Sequence, residues 1–323
     1  MVVLVAALNT TPAVAATKLR ITTQLPPSNP IAMNLYRFKG LVEQASGGEI
    51  EVEVFDSAQL YKDKEVAKAV ASGAIDMGSV SLTRFSGTTP AVELFASPFV
   101  FQDFDAVVTA TEPGHVIRDT IESEVSKTGA RILWWQPFGM AVMLSKDEPI
   151  DTPAKMKGKK VRAFGKGPGA FVKALGGAPT VMSGSEQFLA YQRGTVDAGM
   201  TGVTAVKSRK LYEVMDYMIR TNHAVAEFVV IINENVWQSL DEGQRKIITQ
   251  AAQQVEREMV ESYARTEAEV IGWIKQNTDM EVVELSEAER KAFREASASV
   301  IQDFIEEAGP TGRALVEEAR KLN

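Results

Sequence analysis

A repeated alternation of strands and helices near the start of the chain limits the folds available to it. Apolar and polar residues alternate at 19–23 and 49–55, as expected for strands, and 75–80 is predicted to be a third strand. Residues 30–46 and 64–72 carry apolar residues at helical spacing, and each of these helices is closed by glycine. This order of elements predicts an α/β fold with a parallel, doubly wound sheet.

A second set of elements repeats this order later in the chain. Strands are predicted at 160–164, 180–182 and 196–201, with helices at 170–175 and 185–193 between them. The repeat indicates two similar lobes. Four elements are predicted between the two sets: helices at 104–111 and 113–127, and two successive strands at 130–136 and 139–145.

The longest predicted element is a helix at 240–276, which has almost no helix-breaking residue. At ~1.5 Å per residue it would reach about 50 Å, which is longer than one lobe is wide. Its apolar stripe does not keep heptads, so a brace across both lobes is favoured over a coiled coil. Ser286 and Glu289 form a capping box for a final helix that is predicted to end at Ala308.

Composition excludes several classes of protein. The chain has 323 residues, a net charge of −7 and no cysteine, which excludes thiol catalysis, iron–sulfur clusters and disulfides. Its lysines are scattered, so no basic patch for nucleic acid or anionic membrane is predicted. Residues 1–16 resemble the end of a secretory signal, with a buried first strand as the alternative. No other stretch approaches the ~20 apolar residues of a transmembrane helix.

Arg162 is the first candidate binding residue. It lies near the carboxyl end of the strand at 160–164, just before the glycine-rich run 165–169, which is predicted to be a loop. Ligands of open α/β sheets bind beyond the carboxyl ends of strands, and an arginine there can grip a carboxylate with two parallel hydrogen bonds. The alternative is a surface arginine bridged to an acid.

Motifs for metal and cofactor chemistry are absent from the sequence. His115 and His223 have no second histidine three or four residues away, so no zinc site of the usual spacing is predicted. No nucleophile elbow, P-loop or dinucleotide fingerprint is found. The prediction is therefore a protein without cofactor, metal or catalytic residues. His223 is interpreted as a structural residue.

Aromatic residues near strand ends are candidates for a ligand-binding wall. Trp134 and Trp135 end a strand and point to opposite faces, so one is expected in the core and the other facing a cleft. Phe138 and Phe164 are equally open to core or ligand roles. Arg84 follows a strand of small residues, which leaves room for a ligand beside it.

An ordered set of motifs resembles one known family. No single motif is specific, but their order and spacing together resemble the substrate-binding proteins, of the DctP type, of tripartite ATP-independent periplasmic (TRAP) transporters. The resemblance covers nearly the whole chain after residue 16. The motifs are SGAIDMG (72–78), LTRF (82–85), ASPFVF (96–101), MKGKKVR (156–162), GGAP (176–179), SEQFLAYQRGTVDAG (185–199), TNH (221–223) and NENVWQSL (233–240).

The resemblance implies a two-lobed periplasmic-binding-protein fold with a hinge and a long helix across both lobes. The first lobe is expected to hold 17–138 and 228–267, and the second 139–227 and 268–323. The family's carboxylate-gripping arginine falls on Arg162. Further site positions of the family fall on Arg84, Gln24, Thr201 and Glu186.

The chain departs from the family's sugar-acid binders at three places. Met140-Ala141 stand where such binders have a further arginine, Gly165 where they have asparagine, and Gly184 where they have an aromatic residue. These departures predict fewer polar anchors and more space in the pocket. Together with Trp135, Phe138 and Phe164, they favour an apolar or aromatic monocarboxylate or 2-oxo acid.

The sequence therefore predicts an exported bacterial solute-binding protein of the periplasm. Its expected partners are a small organic acid and a membrane permease, and it is expected to be a monomer that binds no nucleic acid and does not insert into membranes. Two alternatives remain: the binding component of an ATP-driven importer, and an exported enzyme without a metal.

Overall fold

The computed structural model describes residues 16–323, so the predicted leader at 1–16 lies outside the described residues apart from its last position. The strands are β1 (Thr17–Thr23), β2 (Ile50–Phe55), β3 (Met77–Ser81), β4 (Ala130–Ser145), β5 (Lys160–Ala163), β6 (Ala178–Val181), β7 (Ala198–Gly202), β8 (Tyr217–Arg220), β9 (Val225–Asn233) and β10 (Glu281–Glu284).

Helices occupy most of the remaining chain. They are α1 (Pro30–Ala45), α2 (Asp63–Ala71), α3 (Glu93–Ala96), α4 (Phe104–Ala110), α5 (Val116–Ser126), α6 (Pro153–Met156), α7 (Lys166–Ala174), α8 (Gln187–Gln192), α9 (Val203–Ser208), α10 (Glu234–Ser239), α11 (Glu242–Asn277), α12 (Glu287–Ala296) and α13 (Ala298–Arg320).

The first sheet has the order β2-β1-β3-β9-β4. Its first three strands are parallel, as the strand–helix alternation predicts, and β9 then runs antiparallel between β3 and β4. Helices cover both faces of this sheet. Ile21 and Trp134 belong to a cluster with Phe38 of α1 on one face, and Val80 and Trp135 to a cluster with Ile117 of α5 on the other.

The second sheet continues from the far end of β4 with the order β4-β7-β5-β6. On its other edge, the carboxyl end of β4 pairs with β8, which in turn pairs with β10. Strands β5, β6 and β7 are parallel to one another, while β4 is antiparallel to β7. The second strand–helix set therefore builds its own sheet, and the predicted α/β class is confirmed.

Strand β4 is one continuous strand shared by both sheets, whereas the sequence predicted two. Residues 130–140 pair with β9, and residues 141–145 pair with β7. Pro137 and Gly139, which mark a break in the sequence, form a bulge instead of a turn, since the register shifts by one residue there. A bulge bends the strand without ending its pairing, so β4 can cross from one sheet to the other.

The long helix α11 has the predicted position and contacts both sheets. Asp241 caps it by accepting a hydrogen bond from the Gln244 backbone N–H at 2.8 Å. Ile248 near its start is buried in the cluster of the first sheet, and Ile274 near its end is buried in a cluster with Val142 and Met218 of the second. The helix therefore braces both halves of the molecule, as the sequence predicted.

Two helix boundaries differ from the predictions. The run 165–169 was predicted to be a loop, but α7 begins at Lys166 with Gly165 as its N-cap. Pro168 is tolerated because N–H groups in the first turn have no partner within a helix. The final helix was predicted to end at Ala308. Gly309 does interrupt α13 with a positive φ of 61°, but the chain resumes a helical path as far as Arg320.

Helix α13 packs beside elements of both sheets, namely α3 and α5 on one side and α7 on the other. Phe304 and Leu315 belong to the same buried cluster as Trp135. The assignment of 268–323 to the second lobe, and the other lobe boundaries, stay predictions.

Gly139 should be the least replaceable residue of β4. Its φ is +92°, and a Cβ there would overlap the phenol of Tyr263 on α11. Gly139→Ala should combine a left-handed backbone cost of about 1–2 kcal/mol with overpacking of about 1–3 kcal/mol, as measured by chemical denaturation. Gly129→Ala is the matched control, since its φ is +89° but its nearest contact is 3.4 Å away. Equal losses in both variants would show that Tyr263 does not constrain the bulge at Gly139.

His223 should make the protein less stable in mild acid. It is fully buried, stacks on Phe171 at 4.3 Å, and burial lowers its pKa to about 3. Between pH 6.5 and about pH 5 the unfolded chain binds a proton that the folded chain does not, which removes about 2 kcal/mol of stability. The His223→Gln variant should be less stable than wild type near neutral pH. On acidification to about pH 5 it should lose less stability than wild type, because it lacks the buried imidazole. An unchanged difference between wild type and variant at the two pH values would contradict this.

Candidate functional site

The candidate site is a cavity between the carboxyl ends of the strands of the two sheets. It is narrow in this structure, with a volume of about 20 Å³. Five of the predicted site residues line it: Gln24, Phe138, Arg162, Phe164 and Thr201. Six further residues that the sequence did not single out also line it: Asp63, Ser81, Gly202, Arg209, Ala226 and Phe228.

A larger open groove of about 740 Å³ runs outside, along α1 and α11. Its charged residues include Arg37 and Glu258, which pair with each other at 3.0 Å in an exposed salt bridge. The smaller cavity is the better candidate because it contains buried charge without a counterion.

Arg162 is the central group of the cavity. Only 3% of the residue is exposed, so the alternative of a surface arginine is wrong. Its Nη1 donates to the Met200 carbonyl at 2.5 Å and its Nη2 to the Met182 carbonyl at 3.0 Å. Its Nε has no partner in the described part of the chain, and no carboxylate there pairs with it.

The buried guanidinium of Arg162 still carries its charge near neutral pH. Burial is the main cause that lowers its pKa to about 10, while Tyr191 opposes the shift and the charge of Arg84 adds to it. Two of its five N–H groups are used by the carbonyls, so three remain available. A buried cation without a counterion is costly, so the cavity is built to receive an anion.

Arg84 lies behind the cavity and is held by an acid that lines it. Its Nε pairs with Asp63, and both side chains are buried. The second oxygen of Asp63 accepts from the Ser81 backbone N–H at 3.0 Å. The Nη2 of Arg84 has no partner among residues 16–323. Asp63 therefore fixes the orientation of Arg84, and the Nη2 donor of Arg84 stays without a hydrogen-bond partner in the described chain.

Gln24, Thr201 and Glu186 take different positions around the site. Gln24 and Thr201 are buried and line the cavity, and Gln24 accepts from the Ser185 backbone N–H at 3.1 Å. Glu186 does not line it. Its carboxylate accepts from Lys62 at 2.9 Å, and this hydrogen bond is the main cause of its lowered pKa. The Glu186–Lys62 pair thus connects the two halves of the molecule at the rim of the cavity.

The apolar side of the cavity is formed by phenylalanines. Phe138, Phe164 and Phe228 line it, and the rings of Phe138 and Phe228 meet edge to face at 5.1 Å. This wall lies beside Arg162, so the cavity offers a cation and an apolar surface together.

Trp135 does not lie at this cavity, contrary to its place in the predicted site. Its indole donates to Glu122 at 2.9 Å and packs against Phe95. Trp134 is also buried, and it donates to Asn34 at 2.9 Å. The alternation of the two side chains is as expected, but helices cover both faces of the first sheet, and neither tryptophan lines the cavity at Arg162.

The structure places one residue at the cavity that the sequence did not indicate, namely Arg209. Its Nη1 donates to Gln187 at 3.3 Å, and its Nη2 is buried without a partner in the described chain. Burial, and next the charge of Arg162, lower the pKa of Arg209 to about 9. The stretch 207–210 resembles an exposed basic helix end, so no local sequence signal separated Arg209 from its neighbours.

The extra space predicted at Gly165 and Gly184 is not present. A Cβ at Gly165 would lie 2.7 Å from Cβ of Thr83, which fills this space and donates to the Phe164 carbonyl at 3.1 Å. A Cβ at Gly184 would overlap the guanidinium of Arg209. Both glycines allow a polar side chain to approach closely.

Several hydrogen bonds connect the two sheets directly around the cavity. Besides the bond of Thr83, Glu93 on α3 accepts from the Gly167 backbone N–H at 2.8 Å. Ser183 accepts from the Lys64 backbone N–H at 3.2 Å. The two halves of the site are therefore in contact in this structure.

Residues 16–323 contain no group of three or more histidine, cysteine or acidic side chains arranged to hold a metal ion. Within the same residues, no helix is long and apolar enough to cross a membrane.

Two sheets share one strand and are braced by one helix, and the cavity between them carries buried positive charge. This arrangement is typical of a two-lobed solute-binding protein. Residues 21–308 match the model of the DctP family, bacterial extracellular solute-binding protein family 7, and the chain belongs to this family. The resemblance to TRAP substrate-binding proteins is thereby confirmed, as are the two-lobed fold and the long helix.

Relatives cover most of the chain. It is 30% identical over 298 residues to the C4-dicarboxylate-binding periplasmic protein DctP of Rhodobacter capsulatus, covering 91% of this chain and 88% of that protein. It is 25% identical over 307 residues to the 2,3-diketo-L-gulonate-binding periplasmic protein YiaO of Escherichia coli, covering 95% and 92%.

A similar solved structure is that of a TRAP periplasmic solute-binding protein from Shewanella oneidensis with bound succinate. It superposes with a TM-score of 0.90 at 26% identity, covering 96% of this chain and all of that one.

Gly165→Ala should favour an open form. The φ of Gly165 is −170°, so alanine costs nothing in backbone strain, and the whole effect comes from contact with Thr83 across the cavity. Opening relieves that contact, whose cost of about 1–3 kcal/mol would shift the population strongly. Small-angle X-ray scattering should give a larger radius of gyration for this variant.

Gly87→Ala is the control, because a Cβ there meets nothing within 4 Å. An unchanged radius of gyration in both variants would show that the strand ends tolerate the added methyl group.

Proposed function

We propose that this protein captures a small organic acid in the cavity at Arg162 and delivers it to the membrane permease of a TRAP transporter. The observation that carries the proposal is a buried guanidinium with three free N–H donors and no counterion in the described chain. Family membership supports the transport role, and the permease is the partner that this role requires.

The ligand carboxylate pairs with Arg162, and its carbon body lies against Phe138, Phe164 and Phe228. Burial of apolar surface contributes about 25 cal/mol per Å², so this wall favours a carbon body with few hydroxyls. The sequence predicted an apolar or aromatic monocarboxylate or 2-oxo acid, and the wall supports the apolar part of that prediction. Relatives named for C4-dicarboxylate binding and solved with succinate support a small acid.

The protein works in the periplasm as a binding protein without catalytic activity, and as a monomer. The periplasmic names of its relatives support the location. The one carboxylate that lines the cavity, within residues 16–323, is Asp63, and its pairing with Arg84 argues against a role as a general base. The lobes close over the ligand about β4 and α11.

A thermal-shift screen of organic acids tests the function as a whole. A ligand present at 100 times its dissociation constant adds about 2.7 kcal/mol of stability, which is readily measured. The panel should span aromatic acids, branched 2-oxo acids, short monocarboxylates, dicarboxylates and uronates. A protein that none of these acids stabilises would not be an organic-acid receptor.

Arg162→Lys should lose ligand binding almost as fully as Arg162→Ala. A lysine supplies the charge but not the planar fork, and it cannot reach both carbonyls that hold the arginine. An unpaired buried carboxylate costs about 3–5 kcal/mol, which weakens binding by a hundredfold or more. Calorimetry with the best acid of the screen measures this.

Arg193→Lys is the matched control, because Arg193 is exposed at the end of α8. Near-native affinity of Arg162→Lys would contradict bidentate binding, and amide analogues of the acid should fail to bind the wild type.

A further inference from the structure

Glu93 is a buried acid that connects the two halves of the molecule close to the cavity. It lies on α3, which packs against β9 of the first sheet, and only 5% of the residue is exposed. Its Oε2 accepts a hydrogen bond from the backbone N–H of Gly167 at 2.8 Å. Gly167 belongs to the first turn of α7, which packs against β5 and β6 of the second sheet. The carboxyl group of Glu93 therefore reaches from one half to the other.

The helix that Glu93 contacts has no cap from its own segment. Gly165 is the N-cap residue of α7 and has no side chain that could accept a hydrogen bond, and Pro168 has no N–H. The first N–H groups of a helix have no partner within the helix, so a buried one needs an acceptor from elsewhere. Gly167 is buried, and Glu93 supplies this acceptor. A carboxyl group of the first half thus caps a helix of the second half.

The same region of the first half also holds the other end of this helix start. The Thr83 hydroxyl donates to the Phe164 carbonyl at 3.1 Å. Ser86 connects the two contacts, because its Oγ bonds to the Thr83 carbonyl at 2.5 Å and also to Oε1 of Glu93. The turn 164–167 is therefore held at both ends across the two halves. Its first residue, Phe164, lines the cavity.

The hydrogen bonds of Ser86 indicate that Glu93 is protonated in this structure. A serine hydroxyl has one hydrogen to donate, and the Thr83 carbonyl can only accept it. An ionised Glu93 could also only accept. A protonated Glu93 brings its own hydrogen to Ser86 and still accepts from Gly167 through its other oxygen. Burial raises the pKa of Glu93, which favours the same neutral form.

Burial is the largest influence on Glu93, and opening of the cleft would remove it. The hydrogen bonds from Ser86 and Gly167 and the charge of Lys166 lower the pKa, and the charge of Glu307 on α13 raises it. Lys166 and Glu307 pair with each other at 2.5 Å. If α7 moved away, water would reach Glu93 and its pKa would return towards the ordinary value of a glutamate. Closure and protonation are thereby linked.

We propose that Glu93 is a positioning residue of the ligand site, which caps α7 across the cleft in its protonated form and so couples capture of the acid to the uptake of one proton from solvent. This assignment rests on the function proposed above. Glu93 is not among the residues that line the cavity, and it acts through the turn 164–167. Since the closed form holds the proton more tightly than the open form, the affinity for ligand is highest in acid. It falls as the pH rises through the pKa of the closed form.

Calorimetry at pH 5, 6.5 and 8 tests the proton linkage. The probes are benzoate, 3-methyl-2-oxobutanoate, propanoate, succinate and glucuronate, one acid from each class of the thermal-shift panel. In Glu93→Gln a neutral amide can accept from Gly167 and donate to Ser86, as the protonated acid does. Relative to this variant, wild type should lose about threefold or more in affinity between pH 5 and pH 8. Titrations in buffers of different ionisation enthalpy should also show more proton uptake by wild type than by the variant.

Two further variants test the contact itself. Glu93→Ala should bind the same acids about fivefold more weakly than Glu93→Gln at each pH, because α7 then lacks its cap in the closed form. Gly167→Ala should weaken binding in the same direction, since its Cβ would lie only 2.4 Å from Oε2 of Glu93. Gly169→Ala is the matched control on the same helix, because a Cβ there meets its nearest atoms at 3.7 and 3.8 Å.

Glu227→Gln separates Glu93 from another buried acid. Glu227 is 3% exposed, and burial, followed by the charge of Glu256, raises its pKa well above the ordinary value. The charges that act on Glu227 belong to α11 and α5, which hold Glu256 and Arg118, and not to α7. This variant should keep the wild-type dependence on pH. Loss of that dependence in Glu227→Gln, but not in Glu93→Gln, would overturn the assignment.

The remaining outcomes separate this assignment from the proposed function. A wild type whose affinity relative to Glu93→Gln is the same at pH 5 and pH 8 overturns the role of Glu93 and leaves a carboxylate receptor. Glu93→Gln that binds as weakly as Glu93→Ala overturns it as well, because Glu93 would then act as an ion. A wild type that binds none of the five probes overturns both.

Discussion

The burial of Arg162 without a counterion is the constraint on which the rest of the structure depends. A guanidinium can be removed from water only if its N–H groups find acceptors, and backbone carbonyls at 182 and 200 provide two. Those carbonyls follow β6 and lie within β7, so the parallel order of the second sheet is what brings them to the arginine. The remaining donors face a cavity. The fold thereby leaves an uncompensated positive charge at one point between its two sheets, where an anion can bind.

Strand β4 and helix α11 connect that point to the whole molecule. Because β4 pairs with β9 along one part and with β7 along the next, a bend at its bulge moves one sheet relative to the other. Tyr263 of α11 packs directly against Gly139 in this bulge. Hinge motions are absorbed by a few residues while packed elements stay intact. The register of β4 against β9 shifts at two places, and the bulge at Pro137 and Gly139 is the one that lies where β4 passes from β9 to β7.

Local patterns were sufficient for most of the architecture and for part of the site. The alternation around β1–β3, the unbroken run of α11 and an arginine just before a glycine-rich stretch are all encoded within a few residues. The place of Arg209 in the cavity is not indicated by its local sequence. Its guanidinium packs against Gly184, which is distant in sequence and adjacent only in the folded chain. The same limit applies to Trp135. Its direction follows from strand geometry, but whether a helix covers that face is decided by tertiary packing.

The glycines show most clearly what a sequence comparison alone leaves undecided. Glycine at 165 and 184 predicted a roomier pocket, whereas the space beside these residues is taken by Thr83 and by Arg209. Glycine at these positions therefore lets another side chain approach closely and leaves no extra room. At Gly184 that side chain is a cation that lines the cavity.

Closure over a ligand can then be understood as a balance of two terms. Direct hydrogen bonds between the halves, such as Thr83 to the Phe164 carbonyl and Gly167 to Glu93, favour contact even without ligand. Burial of Arg162 and Arg209 without counterions opposes it, because an open cleft would hydrate both groups. An anion removes the second term and leaves the first. The anion therefore binds the closed form more tightly than the open form, because it removes the cost of the uncompensated charges in the closed form. A ligand can shift a conformational equilibrium only through such a difference in affinity.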